Sequence, residues 1–375
     1  MIQAFGREAD FALGIEEELL LVDARTLGLA HVASELIASV EAPAGAIQHE
    51  LYEALIECST PVVRHVPEGM EALAALREAL SEAGATLIGA GLHPGGAFGD
   101  VVHAPTPRTS AIRDSMRGLV ERTPTAALHA HVGMPDAETA IVVCNRLRSY
   151  LPLLQALAAN SPYWHGEDSG FASARSIVFR AFPRSTIPPT FAGWEHYADI
   201  VRWCVEAGDL PDYTYLWWDL RPSPNLGTVE VRAMDAQSRL ESVAGLAALV
   251  HALALASADG HEEISPPSEA LMESSFRAGR DGLDATVWWR DRLTPVREIA
   301  QDVLELARPY ARELDGEDAL EEVERIVREG GGADRMREAH AAGGMEGVLA
   351  HLAQETAGGR AFYSTQTTSP SRTQL

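Results

Sequence analysis

Three consecutive carboxylates, Glu16-Glu17-Glu18, stand inside the apolar segment that begins Phe11-Ala12-Leu13-Gly14-Ile15 and continues Leu19-Leu20-Leu21-Val22. Negative charge in such a setting shifts its pKa or destabilises the chain unless it is compensated. In a strand, alternate side chains share a face, so Glu16 and Glu18 point one way and Glu17 the other. Two acids on one face of a core strand call for a counter-ion, and Mg²⁺ suits them because it takes hard oxygen ligands. On an edge strand the same acidic face would simply be wet. The alternation recurs elsewhere. Glu57 follows Leu55-Ile56, and in Thr228-Val229-Glu230-Val231-Arg232 the residues Glu230 and Arg232 share the face opposite the valines. His129 and His131 share a face of another apolar run. If these strands adjoin, one sheet surface displays Glu16, Glu18, Glu57, Glu230, His129, His131 and Arg232. Carboxylates in that number can hold two or three Mg²⁺ ions that bridge the phosphates of ATP, while arginine grips phosphate oxygens. Such an assembly suits phosphoryl transfer without a Walker-type loop.

Each member also has an ordinary explanation. Glu230 and Arg232 can be a same-face pair worth little energy. His129 and His131 can be satisfied core histidines, and Glu57 can lie on a wet helix face with Glu50 and Glu53. The chain has no His-Glu-x-x-His and no cysteine beside the histidine pair, which argues against a catalytic zinc site. The joint pattern, not any one residue, carries the reading.

The elements that must position these residues follow from periodicity and punctuation. Residues 11–22 read as a strand and 23–28 as a turn. Residues 46–60 read as extended around Ile56, with 50–55 open to a helical alternative. Pro67-Glu68 opens a helix to about Ala83, stopped by Gly84. Residues 85–91 read as a buried strand leading into His93-Pro94-Gly95-Gly96, a corner with neither P-loop nor dinucleotide spacing. Residues 125–134 read as the strand carrying the histidine pair. Pro135-Asp136 opens a helix that holds Asn145, Arg146 and Arg148, and 160–164 is a turn. Residues 171–189, rich in arginine and aromatics, suit a lid or pocket wall, and 194–207 a helix. Strands are expected over 213–219 and 228–233, joined by a turn at 220–227. From Asp235 onward the pattern is mostly helical.

The chain has 375 residues, is 46% hydrophobic and carries a formal net charge of -24. It is long enough for a large core. Its acidity argues against non-specific binding to nucleic acid or an anionic membrane. Cys58, Cys144 and Cys204 are widely spaced and form no disulfide framework, which points to a reducing cytoplasm. No signal peptide is expected from the first residues. The apolar stretch 243–258 contains His251 and reads as a buried helix, short for a membrane span. The base rate for soluble proteins favours a homo-oligomer.

An ordered set of motifs makes the chain recognisable. They are Gly14-Ile15-Glu16-Glu17-Glu18-Leu19, His129-Ala130-His131-Val132-Gly133-Met134, Asn145-Arg146-Leu147-Arg148 and Ala159-Asn160-Ser161-Pro162-Tyr163-Trp164. Gly170-Phe171-Ala172-Ser173-Ala174-Arg175-Ser176, Gly227-Thr228-Val229-Glu230-Val231-Arg232, Asp235-Ala236-Gln237 and the run from Arg277 to Ala285 follow. The chain resembles the glutamate–cysteine ligase type 2 family, in its bacterial carboxylate–amine ligase subgroup, from Leu13 to about Leu320. The resemblance implies an α+β, glutamine-synthetase-like catalytic fold: a curved, mainly antiparallel sheet as the active-site floor with helices on its back. One catalytic domain is expected over 1–363, helix-rich in its C-terminal half, with a loose tail over 364–375.

The resemblance also implies ATP with Mg²⁺ or Mn²⁺ and small-molecule carboxylate and amine substrates. It maps metal ligands onto Glu16, Glu18, Glu57 and Glu230, nucleotide or metal contacts onto His131 and His129, and phosphate or carboxylate contacts onto Arg232 and Arg175. Glu50 is a looser further acid. The implied reaction phosphorylates a carboxylate, such as the γ-carboxylate of glutamate, and an amine, such as that of cysteine, then displaces phosphate to form an amide. Cys58 needs no catalytic part. Gly95-Gly96, Phe276 and Met234 depart from the family pattern, which affects amine specificity more than ATP chemistry. The alternatives are an ATP-dependent phosphotransferase that stops before ligation and a catalytically weak nucleotide-binding protein.

Overall fold

The computed structural model describes residues 3–8, 10–260 and 266–366. Its centre is a seven-stranded antiparallel sheet. The strands are β1 (Leu13–Val22), β2 (Ala46–His49), β3 (Leu55–Ser59), β4 (Thr86–Ile88), β5 (Ala127–Gly133), β8 (Leu220–Ser223) and β9 (Thr228–Asp235). The order is β2-β3-β1-β5-β9-β8, with β4 also pairing with β1. Two small ribbons lie outside it, β6 (Tyr163–Trp164) with β7 (Glu167–Asp168) and β10 (Thr286–Trp289) with β11 (Arg292–Pro295).

Alternation gives the sheet two unlike faces. Leu13, Ile15, Leu19 and Leu21 of β1, Ile56 and Cys58 of β3, Leu128, Ala130 and Val132 of β5, and Val229 and Val231 of β9 join one apolar core with the helices. Those helices include Val66–Glu82, Ala137–Leu147, Leu151–Leu157, Leu240–Ala258 and Val296–Glu313. The helix Val66–Glu82 starts with proline in its first turn, and Asp136 caps Ala137–Leu147 by accepting from the Thr139 N–H at 2.9 Å. Leu240–Ala258 is apolar all round and long enough to cross a membrane, yet 89% of its most apolar window is buried among the other elements. That is the placement of a central core helix.

The middle acid of the triplet belongs to this inner face. Glu17 is buried and accepts two bonds from Arg77 of the helix Val66–Glu82, at 2.9 and 2.6 Å. Arg77 also donates to the carbonyls of Ser238 and Gln237 at 2.8 and 3.0 Å. The pair ties β1 to a helix and to the chain following β9.

Several local expectations are corrected. Residues 50–54 are not helical but form the irregular link between β2 and β3. The strand expected over 85–91 is confined to Thr86–Ile88. The helix through Asn145 ends at Leu147, and Arg148–Tyr150 tightens into a 3₁₀ turn. Within the turn expected over 160–164, Tyr163–Trp164 forms a ribbon strand. The strand expected over 213–219 is instead β8 at Leu220–Ser223, and Tyr213–Tyr215 is a 3₁₀ turn. Pro222 made the segment read as a turn, but β8 lies at the sheet edge, where a missing N–H is tolerated. The hairpin then closes through Gly227, whose φ is +72°, and where a Cβ would stand 2.5 Å from the Ala4 carbonyl oxygen. Of the expected tail, 364–366 end the last helix and 367–375 lie outside the described residues.

Candidate active site

The second face of the sheet carries the polar residues, and the register sets them side by side. Glu18 stands opposite Glu57, and Glu57 opposite Gln48. Glu16 stands opposite His129, while His131 faces Glu230 and Glu230 faces Arg221. All eight residues singled out from the sequence, Glu16, Glu18, Glu57, His129, His131, Arg175, Glu230 and Arg232, line one cavity of about 480 Å³.

The contacts divide the floor into two parts. Around Glu230, Arg221 donates from Nε to Oε2 at 2.6 Å, and Arg232 donates from Nη1 to Oε1. Burial opposes ionisation of Glu230, but Arg221 and Arg232 hold its carboxyl well below the usual carboxylate range. Glu16 lies between the histidines, with Oε2 at 3.2 Å from His129 Nδ1 and Oε1 at 3.3 Å from His131 Nε2. Burial pushes Glu16 up, yet His131 and His129 together bring it well below its ordinary value. His131 is raised: burial lowers it, and Glu16 and Glu230 more than offset that. His129 is pulled down to about 4 by burial and Arg232, so its ring is neutral at physiological pH.

In the other part the acids outnumber the cations. Glu18, Glu50 and Glu57 bring one carboxylate oxygen each within 4.8 Å of one another. Burial and the Glu50 charge push Glu18 up to about 8, even though Arg175 and Arg232 act against the rise and the Ala127 N–H donates to Oε2 at 2.7 Å. Glu57 is raised well above its ordinary value by burial and then by Glu16, Glu50 and Glu18. An all-oxygen set of acids in excess of its cations, with Glu18 buried and Glu50 and Glu57 half-buried, is the donor set of a hard divalent ion. Glu16, His129 and Glu230 form a second group with ligand atoms equally close. The residues therefore fit a metal.

The walls come from elsewhere in the chain. Arg175 sits at the start of the helix Ala174–Phe179 and donates from Nη2 to the Arg232 carbonyl at 3.4 Å. Its Nη1 lies 3.7 Å from Asp235, which accepts from Ser161 and Ser173 hydroxyls at 2.7 and 2.9 Å. Phe179, Phe182 and Trp217 form an aromatic side, and Arg108, Tyr213 and Thr214 also line the cavity. The 171–189 segment is thus a pocket wall through Arg175, Phe179 and Phe182.

Sequence reasoning missed Arg221 because its segment read as a turn; a strand there would have put it on the face of Glu230. It missed Arg108, for which the sequence holds no signal, and it quoted Asp235 without a role. Glu50, the looser match, lies in the uncompensated acid group. Cys58 faces the helices, away from the cavity. Gly95-Gly96, Met234 and Phe276 do not line the cavity.

Known proteins match this chain closely. The model of the family described as glutamate–cysteine ligase family 2 matches residues 12–354. A chain from Rubrobacter xylanophilus, provisionally named glutamate–cysteine ligase 2-3, is 38% identical over 363 residues, 94% of this chain and 99% of its own length. The glutamate–cysteine ligase of Haloferax volcanii is 37% identical over 351 residues, 91% of this chain and 95% of that one. Among solved structures, the glutamate–cysteine ligase of Francisella tularensis in complex with AMP superposes with a TM-score of 0.70 at 13% identity, covering 96% of this chain and 92% of that one. At that identity the likeness speaks for the α+β fold.

Proposed function

The chain belongs to glutamate–cysteine ligase family 2 and is an ATP-dependent carboxylate–amine ligase, and on that premise we propose that it joins the γ-carboxylate of glutamate to the amine of cysteine. The carboxylate attacks the γ-phosphorus of ATP to give an acyl phosphate and ADP; the amine then displaces phosphate and forms the amide. The observation that carries this reading is the convergence of four strand-borne acids, two histidines and two arginines on one sheet face, with Arg175 in the wall, around one cavity.

Glu18, Glu50 and Glu57, with Glu16, His129 and Glu230 beside them, would hold Mg²⁺ or Mn²⁺, which draws charge from phosphate oxygens. Arg232 and Arg175 bind the transferring phosphoryl group and keep it in line with the carboxylate. Glu230, itself held by Arg221, fixes Arg232 so that its guanidinium does not need to reorganise during transfer. His131, biased toward its cationic form, lies between Glu16 and Glu230 and balances charge as the phosphate oxygens gather it. The aromatic side formed by Phe179, Phe182 and Trp217 suits a purine ring. The reading includes a curved, glutamine-synthetase-like floor, which the all-antiparallel order supports. It also includes a single catalytic unit, supported by a core that mixes sheet residues with C-terminal helices. A reducing cytoplasm agrees with three free cysteines.

The test is a panel of glutamate-like acids and amino acids with MgATP, read by product mass and ADP release. The expected result is an amide whose formation matches ADP release and requires the amine. ADP release with a phosphorylated acid and no amide identifies a phosphotransferase; MgATP binding without turnover across the panel identifies a binding protein. Either outcome overturns the proposal.

A further inference from the structure

Asp235 ends β9, the strand that carries Glu230 and Arg232, yet it is buried and does not line the cavity. Both of its oxygens are occupied. Oδ1 accepts from the Ser173 hydroxyl at 2.9 Å, and Oδ2 accepts from the Ser161 hydroxyl at 2.7 Å and from the Asn160 N–H at 3.0 Å. Each serine carries the constraint on to the helix Ala174–Phe179. Ser173 Oγ caps that helix by accepting from the Ser176 N–H at 3.2 Å, and Ser161 Oγ accepts from the backbone N–H of Arg175 itself at 3.1 Å. The Ala174 N–H adds a bond to the Ser161 carbonyl at 2.9 Å. Gly91 makes the room: a Cβ there would stand 2.6 Å from Asp235 Cγ and 2.9 Å from Ser161 Oγ.

The Arg175 guanidinium is held more loosely than that of Arg77 or Arg221, whose N–H groups are spent on acids and carbonyls. Among the described residues Arg175 makes one side-chain hydrogen bond, at 3.4 Å to the Arg232 carbonyl, and its Nε is buried with no partner. Its Nη1 lies 3.7 Å from Asp235, too far for a hydrogen bond and near enough for charge to act. Burial raises Asp235 above its ordinary value, and Arg175 is the foremost of the groups opposing that rise, ahead of Ser161, Asn160 and Ser173. The anion therefore steers the cation without consuming its donors, which stay available to a ligand in the cavity that Arg175 lines.

Resting on the ligase reading above, in which Arg175 binds the transferring phosphoryl group, we infer that Asp235 is the positioning residue for that contact. Its carboxylate ties the first turn of the Arg175 helix to the end of β9 through two serines and draws the guanidinium toward the strand that carries Arg232. Asp235 acts through Arg175 and does not itself meet the reacting atoms.

The experiment compares the full-length protein with Asp235→Asn, which keeps the shape and removes the charge, with Arg175→Ala, and with the two combined. One probe is MgADP with aluminium fluoride, a mimic of the transferring phosphoryl group whose binding is measurable in any folded variant. The other is hydroxamate formation from L-glutamate, MgATP and hydroxylamine. The expected result is that Asp235→Asn weakens binding of the aluminium fluoride complex by about tenfold or more, while MgADP alone binds within about twofold of the wild type. It also lowers the kcat of hydroxamate formation by about tenfold or more, with the KM values of ATP and L-glutamate within about threefold. The combined variant binds the complex within about twofold of Arg175→Ala alone, because the two residues act as one unit. Ser173→Ala, which removes one of the two bridges, gives a smaller loss of the same kind. Asp235→Asn with unchanged affinity and kcat, an equal loss for MgADP alone, losses that multiply in the combined variant, or Arg175→Ala binding as the wild type does overturns the positioning role while leaving the ligase reading in place. If Asp235→Asn does not fold, Ser161→Ala combined with Ser173→Ala takes its place and the same outcomes decide. If the wild-type protein gives neither hydroxamate nor ADP with any acid, the ligase reading fails and this inference fails with it.

Discussion

Divalent metal binding should expel protons from the acid floor. Glu18 is pushed from an ordinary 4.5 to about 8, so it is mostly protonated in the metal-free protein near pH 7, and Glu57 is raised in the same direction. The sign follows from linkage. A carboxyl raised in the folded state favours folding fully below its unfolded value, and that contribution is lost as pH rises through the folded value. Keeping Glu18 ionisable against an unfolded value of 4.5 costs the metal-free fold roughly 3 kcal/mol by pH 7, and the loss continues to about pH 8. A bound cation reverses the preference, because only the ionised acids are good ligands. Each proton released steepens metal affinity by about tenfold per pH unit, so Glu18 alone gives about tenfold per unit from about pH 6 to 7.5, and the raised Glu57 adds to that slope. Titration calorimetry with Mg²⁺ or Mn²⁺, repeated in buffers of different ionisation enthalpy, counts the protons directly. Glu57→Gln should lower the number of protons released and weaken binding, because it removes an acid whose value lies above the ordinary one. Metal affinity flat across this range, with no proton release, would refute the assignment of Glu18 and Glu57 as ligands.

Three further outcomes are expected. Glu16→Gln and Glu230→Gln should each lower metal-dependent turnover by about a hundredfold or more with the fold intact by circular dichroism, and unchanged activity in both removes their assigned roles. Arg77→Met leaves Glu17 as an uncompensated buried charge and should destabilise the protein by about 3 to 5 kcal/mol in chemical denaturation; adding Glu17→Gln should recover much of the loss. Cys58→Ala should keep turnover and lose about 1 kcal/mol of stability, since its thiol is packed on the helix side; loss of activity in a folded sample contradicts that placement.

The site was legible where period-two alternation ran through a long strand. Glu16, Glu18, His129, His131, Glu230 and Arg232 could be assigned to one face because valine, leucine and isoleucine mark the other so clearly. What alternation does not encode is which strand lies beside which. The pairing of β1 with both β3 and β5 decides that Glu18 meets Glu57 while Glu16 meets His129, and no local signal in either segment contains it. Arg221 was lost for a different reason. Pro222 and Pro224 are strong turn markers, and only the edge position of β8, a tertiary fact, makes a strand compatible with Pro222. Asp235 and Arg175 meet because a helix after the β6–β7 ribbon folds back over the end of β9, a contact across sixty residues of chain.

The acidic triplet shows why fold and site constrain each other. Glu17 has one counter-ion, Arg77, whose five N–H groups are all used by Glu17 and three backbone carbonyls, of Ser238, Gln237 and Thr356. Glu16 and Glu18 have no such inner partner and face a cavity that concentrates histidine, arginine and further acid. A slip of β1 by one residue would exchange the two sets, because every side chain would change faces. Two carboxylates would then compete for Arg77 inside the core, and the floor would retain one acid where two now meet the neighbouring strands. The core rejects that register on charge as well as on the burial of Leu13, Ile15, Leu19 and Leu21. The pairing that folds the protein is therefore the same pairing that presents Glu16 and Glu18 to the substrates, and a variant that weakens the Glu17–Arg77 pair should loosen the site before it unfolds the chain.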